Sequence, residues 1–150
     1  MDLLLHDHRL RANGIEHHCV VAGDGPPVVL LHGFPQTWHA WRYQMPVLGR
    51  HYRLIVPDLR GQGATDKPAC GYDKRTMAQD LLGLLRALGI GRAAVIGHDR
   101  GAVVGLRFAK DHPHVCGRFA ALDHVPLRVV FDHLPDKLVR EPWFFLFHAL

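Results

Sequence analysis

Apolar residues along this chain recur with two different periods, and the switches between them outline an alternation of strands and helices. His8 to Ala12 and Glu16 to Val21 read as two strands joined at Asn13-Gly14, a strong hairpin signal. After Gly23-Asp24-Gly25-Pro26-Pro27 comes Val28-Val29-Leu30-Leu31, a continuous apolar run typical of a strand buried on both faces. A helix is expected from about Thr37 to Leu48, then a short strand, Tyr52 to Val56, and a loop, Pro57 to Gly63. The clearest helix runs from Thr76 to Leu88: Met77, Leu81, Leu84, Leu85 and Leu88 fall on one stripe, and Gly89 sits where a C-terminal cap belongs. Ala93 to Ile96 predicts a strand, Ala102 to Ala109 a helix, and Phe119 to Leu122 a further strand. This alternation predicts an α/β fold around a mostly parallel sheet.

Past Asp123 the pattern breaks. The segment from Val129 to Val139 mixes aromatic, acidic and basic residues, and Trp143-Phe144-Phe145-Leu146-Phe147 is an apolar run that needs cover. The expectation is therefore a chain cut short, with residues 1–123 forming one body and 124–150 the start of another.

Composition narrows the function classes. A length of 150 residues, 48% of them hydrophobic, is enough for one domain with a core. The formal charge of +4 comes without a Lys/Arg stripe, so nothing points to nucleic acid. No stretch approaches the about 18 apolar residues of a membrane span, and no signal peptide is visible, so a cytoplasmic setting is expected. Cys19, Cys70 and Cys116 have spacings that suit neither a disulfide framework nor a zinc site. His6-Asp7-His8 and His17-His18 lack the spacing of a zinc protease and are expected to be scattered surface imidazoles. No metal and no cofactor is expected; the partners are a small-molecule substrate and water.

The candidate chemistry lies in Gly97-His98-Asp99-Arg100-Gly101, between a buried-strand run and an apolar helix. Two glycines allow a tight strand-to-helix bend that pushes its central side chain outward. Asp99 at that point has two readings. It is either a helix N-cap or a nucleophile. A carboxylate that attacks saturated carbon leaves an ester, which water can hydrolyse, whereas serine would leave a stable ether. An aspartate nucleophile thus fits carbon–halogen cleavage or epoxide opening and argues against an ordinary esterase.

Taken together, His32-Gly33-Phe34-Pro35-Gln36-Thr37-Trp38, Pro57-Asp58-Leu59-Arg60-Gly61-Gln62-Gly63, Lys74-Arg75-Thr76-Met77-Ala78 and the Asp99 motif resemble the signatures of the α/β-hydrolase superfamily. Within it the chain is similar to the branch of haloacetate dehalogenases and soluble epoxide hydrolases. The resemblance implies the α/β-hydrolase fold, a doubly wound mostly parallel sheet truncated here before its last strands. Residues 1–123 would be the N-terminal part of the core and 124–150 the incomplete start of a helical cap.

It also implies roles. Asp99 would be the nucleophile, and the backbone N–H groups of Phe34 and Arg100 the oxyanion hole. The Arg100 side chain would grip a substrate carboxylate, as in haloacetate dehalogenases, which carry a second arginine where this chain has Val103. The bland alternative is a solvated arginine in the first helical turn. Asp123 would be the acid that orients a histidine, and Trp143 a donor to the leaving group. Trp38 and Trp41 would serve packing, Asp58 and Arg60 would brace their loop, and His32 and His98 would give structural support.

The family order is nucleophile, acid, histidine, and none of the thirteen histidines occupies a matching place. Three functions remain open. The first is a hydrolase cleaving a small haloacid through an alkyl-enzyme ester. The second is an epoxide hydrolase, and the third a catalytically incomplete fragment or pseudoenzyme acting as a binding domain.

Overall fold

The computed structural model describes residues 3–124. Its chain starts with a hairpin of β1 (Leu5–Ala12) and β2 (Ile15–Ala22), paired from Leu5 opposite Ala22 to Ala12 opposite Ile15. Asn13 and Gly14 connect them with φ of 48° and 82°, the two positive values of a type I′ turn. Strands β3 (Pro27–Leu31), β4 (Arg53–Pro57), β5 (Ala93–His98) and β6 (Cys116–Leu122) follow. The sheet order is β1-β2-β4-β3-β5-β6. The β2–β4 pair is antiparallel, and β4, β3, β5 and β6 run parallel.

Both sheet faces are covered, which is why β3 is apolar throughout. On one face Val29, Leu31, Ile55 and Val95 pack with Met77, Leu81, Leu85, Val104 and Phe108 of α2 (Lys74–Ala87) and α3 (Arg100–Asp111). On the other, Val28, Leu30, Leu54 and Val56 meet Trp41 and Met45. The expected helix over Thr37–Leu48 is instead two pieces, a 3-10 turn at Trp38–Trp41 and the one-turn α1 at Met45–Leu48. Pro46 explains the break: lacking an N–H, it starts a helix but cannot continue one.

Local signals set the long helix. Asp73 caps α2, its Oδ1 accepting from the N–H groups of Arg75 (3.1 Å) and Thr76 (3.0 Å). Hydrogen bonds from Thr76 hold the Asp73 carboxyl below its ordinary value. At the far end Gly89 takes φ 70° and the Ile90 N–H returns to the Leu85 carbonyl at 2.8 Å, closing the helix as the sequence leads one to expect.

One consequence of the strand order locates the site. From β3 the chain leaves toward β4 on one side, and β5 then enters on the other. The loops after β3 and β5 therefore diverge and leave a crevice at the carboxyl ends of the strands, where open α/β sheets bind ligands.

Candidate active site

Asp99 sits at that crevice, between the end of β5 and the start of α3, with φ 50° and ψ −116°. A non-glycine residue in this conformation is strained by roughly 1–3 kcal/mol and persists only where its surroundings enforce it. Here they do: the Asp99 N–H donates to the Leu122 carbonyl (3.1 Å) on β6, and its carbonyl accepts from Ala102 (3.0 Å). Neighbouring residues must be small. A Cβ on Gly97 would collide with the backbone of Gly101 and Ala102, and one on Gly101 with the carbonyl oxygens of Leu31 and His32.

The half-buried carboxylate makes no cap to its own helix. Its Oδ1 accepts instead from the Phe34 backbone N–H at 2.8 Å, across from the β3 loop. The N-cap alternative is thereby contradicted. The side chain faces the crevice wall, and Phe34, expected as an oxyanion donor, already holds one of its oxygens.

The loop that presents Phe34 is fixed from below. His32, fully buried, takes the Leu59 N–H on Nε2 (3.0 Å). A backbone N–H can only donate, so the ring proton is on Nδ1, which donates to the Gly33 carbonyl at 2.8 Å. Burial pushes the His32 pKa down, in keeping with this neutral form. Gln36 Oε1 accepts the Gly33 N–H (2.9 Å), and Asp58 Oδ1 accepts the Trp38 N–H (2.8 Å). The Phe34–Pro35 peptide is cis. His32 thus has the supporting place expected of it, and so does Asp58.

Arg100 is 8% exposed, and its Nη2 lies 3.9 Å from Met77 Sδ on α2. The solvated-arginine alternative therefore fails. Burial lowers its pKa, opposed by the Asp99 charge. Asp123 follows β6 with φ 49° and its side chain is 89% exposed; Oδ2 lies 3.6 Å from His98 Nε2. The ends of β3, β5 and β6 thus bring Phe34, Asp99, Arg100 and Asp123 to one side of the sheet, whereas Trp143 lies outside the described residues.

Three further arrangements escaped the sequence. Lys74, half-buried at the start of α2, is pulled down to about 8, by burial first and then by the Arg100 charge, with Asp73 and Asp99 opposing. Arg60 does not pair with Asp58. It forms a bidentate bridge to Asp80 of α2, Nε to Oδ2 at 2.7 Å and Nη2 to Oδ1 at 2.6 Å. Asp58 instead meets His18 Nδ1 at 2.7 Å, and His18 Nε2 bonds Asp7. His17 and His18 are buried, not surface imidazoles, because β2 lies inside the sheet between β1 and β4. A chain of alternating His17-His18 on such a strand places one ring on each face, against Asp80 (3.8 Å) and Asp58. Among the described residues no group of His, Cys, Asp and Glu is arranged to hold a metal ion, and no helix is long and apolar enough to cross a membrane.

Comparison with known proteins agrees with this fold. A family model described as "alpha/beta hydrolase fold" matches residues 26–147. Soluble epoxide hydrolase of Corynebacterium sp. (strain C12) is 46% identical over 119 residues, covering 79% of this chain and 42% of that protein. Fluoroacetate dehalogenase of Burkholderia sp is 41% identical over 135 residues, covering 87% of this chain and 44% of that one. The solved structure of ALR0039 from Nostoc sp PCC 7120 matches with a TM-score of 0.88 at 36% identity, over 95% of this chain and 51% of that chain. The chain spans about two-fifths of the length of the two curated relatives.

Proposed function

Because this chain belongs to the α/β-hydrolase-fold family, we propose that Asp99 is the nucleophile of a hydrolase that cleaves a carbon–halogen bond in a small haloacid. The observation that carries the reading is the Asp99 carboxylate itself. It stands at a bend with φ 50°, makes no bond to its own helix and accepts the Phe34 N–H at 2.8 Å.

In this reading Asp99 Oδ2 attacks the halogen-bearing carbon, a carbon–oxygen bond forms, and halide departs with the bonding electron pair. Oδ1 becomes the ester carbonyl oxygen, already facing a donor. Water, deprotonated by a histidine that Asp123 orients, then adds to the Asp99 carboxyl carbon. The negative charge that develops on Oδ1 is held by the backbone N–H groups of Phe34 and Arg100. Collapse breaks the bond between that carbon and Oδ2, releasing the hydroxyacid and restoring Asp99. Arg100 grips the substrate carboxylate and Trp143 donates to the leaving halide. Residues 1–123 supply the N-terminal part of the hydrolase core and 124–150 the start of the cap.

The test uses the complete polypeptide that carries these residues. Chloride or fluoride release from the haloacetates is expected, with Asp99→Asn abolishing it and acid quenching leaving substrate mass on the Asp99 peptide. Release undiminished in Asp99→Asn refutes the role of Asp99. A second reading, epoxide opening, draws on the relative from Corynebacterium, which is named a soluble epoxide hydrolase. Diol formation from styrene oxide without halide release would favour it. If neither substrate is turned over or trapped, the incomplete-fragment reading takes their place.

A further inference from the structure

A buried ion pair holds the loop that presents Phe34. Asp58 follows β4 and is 2% exposed, and the loop from His32 to Trp38 is tied at both ends to Asp58 and its neighbour. The Leu59 N–H donates to His32 Nε2 at 3.0 Å, and Asp58 Oδ1 accepts the Trp38 N–H at 2.8 Å. The other carboxylate oxygen, Oδ2, accepts the Ala64 N–H at 2.9 Å and faces His18 Nδ1 at 2.7 Å. Gly63 closes over this oxygen, where a Cβ would collide with it.

His18 is placed to balance the buried charge. Its ring, in a residue 5% exposed, stands between two carboxylates, Asp58 on Nδ1 and Asp7 of β1 on Nε2. Ionised carboxylates only accept, so both ring nitrogens donate and the ring is an imidazolium. The two partners are unequal: the Asp7 side chain is 75% exposed and screened by water, whereas Asp58 is enclosed. A cycle of hydrogen bonds fixes the pair. The His18 N–H donates to Thr65 Oγ1 at 2.9 Å, that hydroxyl donates to the Asp58 carbonyl at 2.7 Å, and the Asp58 N–H returns to the His18 carbonyl at 3.0 Å.

A buried carboxylate that loses its positive partner is strongly destabilised and must move or draw in water. Any such shift of Asp58 passes to the Trp38 N–H and along the loop to Phe34, whose N–H donates to Asp99 Oδ1 at 2.8 Å. Resting on the aspartyl-ester reading above, we propose that His18 is a positioning residue for ester hydrolysis. Its imidazolium fixes the Asp58 carboxylate, Asp58 fixes the loop, and the loop fixes the donor that meets the charge developing on Oδ1. The effect falls on the second step of the reaction, where that charge grows, more than on the first.

Two neutral amides of opposite reach test the proposal in the complete polypeptide. The Asn amide nitrogen takes the place of Nδ1 and still faces Asp58, whereas the Gln amide nitrogen takes the place of Nε2 and faces Asp7. In His18→Gln, exchange of the Trp38 amide hydrogen should quicken about tenfold, the scale of one weakened hydrogen bond to a charged group, while Leu84 and Leu85 inside α2 keep their native rates. During chloroacetate turnover kcat should fall about tenfold, a part of the 10²- to 10³-fold effect of a lost donor. Rapid quench should show ester formed at the native rate and accumulating. His18→Asn should recover most of both losses. The exposed His114→Asn, on the turn after α3, is the control and should match the native protein in each measurement. Nitrogen NMR of the native protein at neutral pH should show both His18 ring nitrogens protonated.

A neutral His18 ring overturns the proposal whether or not the variants fold. Native-like Trp38 exchange and ester hydrolysis in His18→Gln, with chloroacetate turned over, overturns it and leaves the reaction. Equal losses in His18→Gln and His18→Asn, with α2 amides quickened as well, also overturn it, because His18 would then serve general stability alone. Trp38 exchange quickened by Gln and restored by Asn, with no turnover of chloroacetate by the native protein, supports the hold of His18 on the loop and refutes the reaction.

Discussion

Gly33→Ala tests the crevice wall at its tightest point. A Cβ on Gly33 would lie 2.8 Å from Asp99 Oδ1, 2.9 Å from Asp99 Cβ and 2.9 Å from His98 Nδ1. Asp99 Oδ1 and His98 Nδ1 belong to side chains that can turn aside, but Asp99 Cβ is fixed to the backbone, so the methyl group must push the β3 loop and Asp99 apart by several tenths of an ångström. The contact that suffers is the 2.8 Å bond from Phe34 N–H to Asp99 Oδ1. Two magnitudes then separate. The steric insult should cost stability about 1–3 kcal/mol, as overpacked sites do. Misplacing an oxyanion donor should lower the ester-hydrolysis rate about 10²- to 10³-fold, since such donors contribute about 3–4 kcal/mol to the transition state. Ester formation needs that donor less, so intermediate should accumulate. Rapid quench followed by intact mass spectrometry should show most of the Gly33→Ala protein esterified during turnover, and urea unfolding should show a modest loss of stability. A variant that turns over at the native rate without trapped ester would refute the assignment of Phe34 as a donor to developing charge.

Asp80→Ala removes one half of the buried Arg60–Asp80 bridge and should cost about 3–5 kcal/mol in urea-unfolding free energy, because Arg60 stays buried without its carboxylate; a loss under 1 kcal/mol would mean that Arg60 finds water. His32 and His17 are both lowered from the ordinary histidine value of 6.5 by burial. Below pH 6.5 the unfolded chain takes up protons that these folded rings refuse, so stability present above 6.5 should be lost as pH falls, and urea midpoints at pH 5 should lie below those at pH 7.5. A flat profile between those values, or an inverted one, would contradict the buried neutral rings.

The elements that the sequence announced were those governed by neighbours in the chain. Asn13-Gly14 specifies its own turn, and the stripe from Met77 to Leu88 describes a helix with one buried face wherever it packs. Pro46 was the exception, since the apolar spacing around it hid a break that its missing N–H enforces. At the site, the bend at Asp99 was legible because two glycines bracket it. What was hidden depends on approach across the sheet. The Arg60–Asp80 bridge over 20 residues follows from where α2 packs, and the burial of His17 and His18 on an interior strand follows from strand order; no single segment encodes either. Lys74 is a further case: the sequence showed it only within the Lys74-Arg75-Thr76-Met77-Ala78 motif, and its half-buried place at the start of α2 comes from packing.

The central claim is that the side chain of Asp99 is covalently consumed and regenerated in each cycle. A single turnover in ¹⁸O-labelled water, with protein in excess over chloroacetate, tests it directly by following the oxygen. The ester mechanism predicts that the product hydroxyl oxygen comes unlabelled from Asp99 and that the label appears in the carboxylate of the Asp99 peptide. Label in the product with none in that peptide would mean that water attacks the substrate directly, and Asp99 would not be the nucleophile.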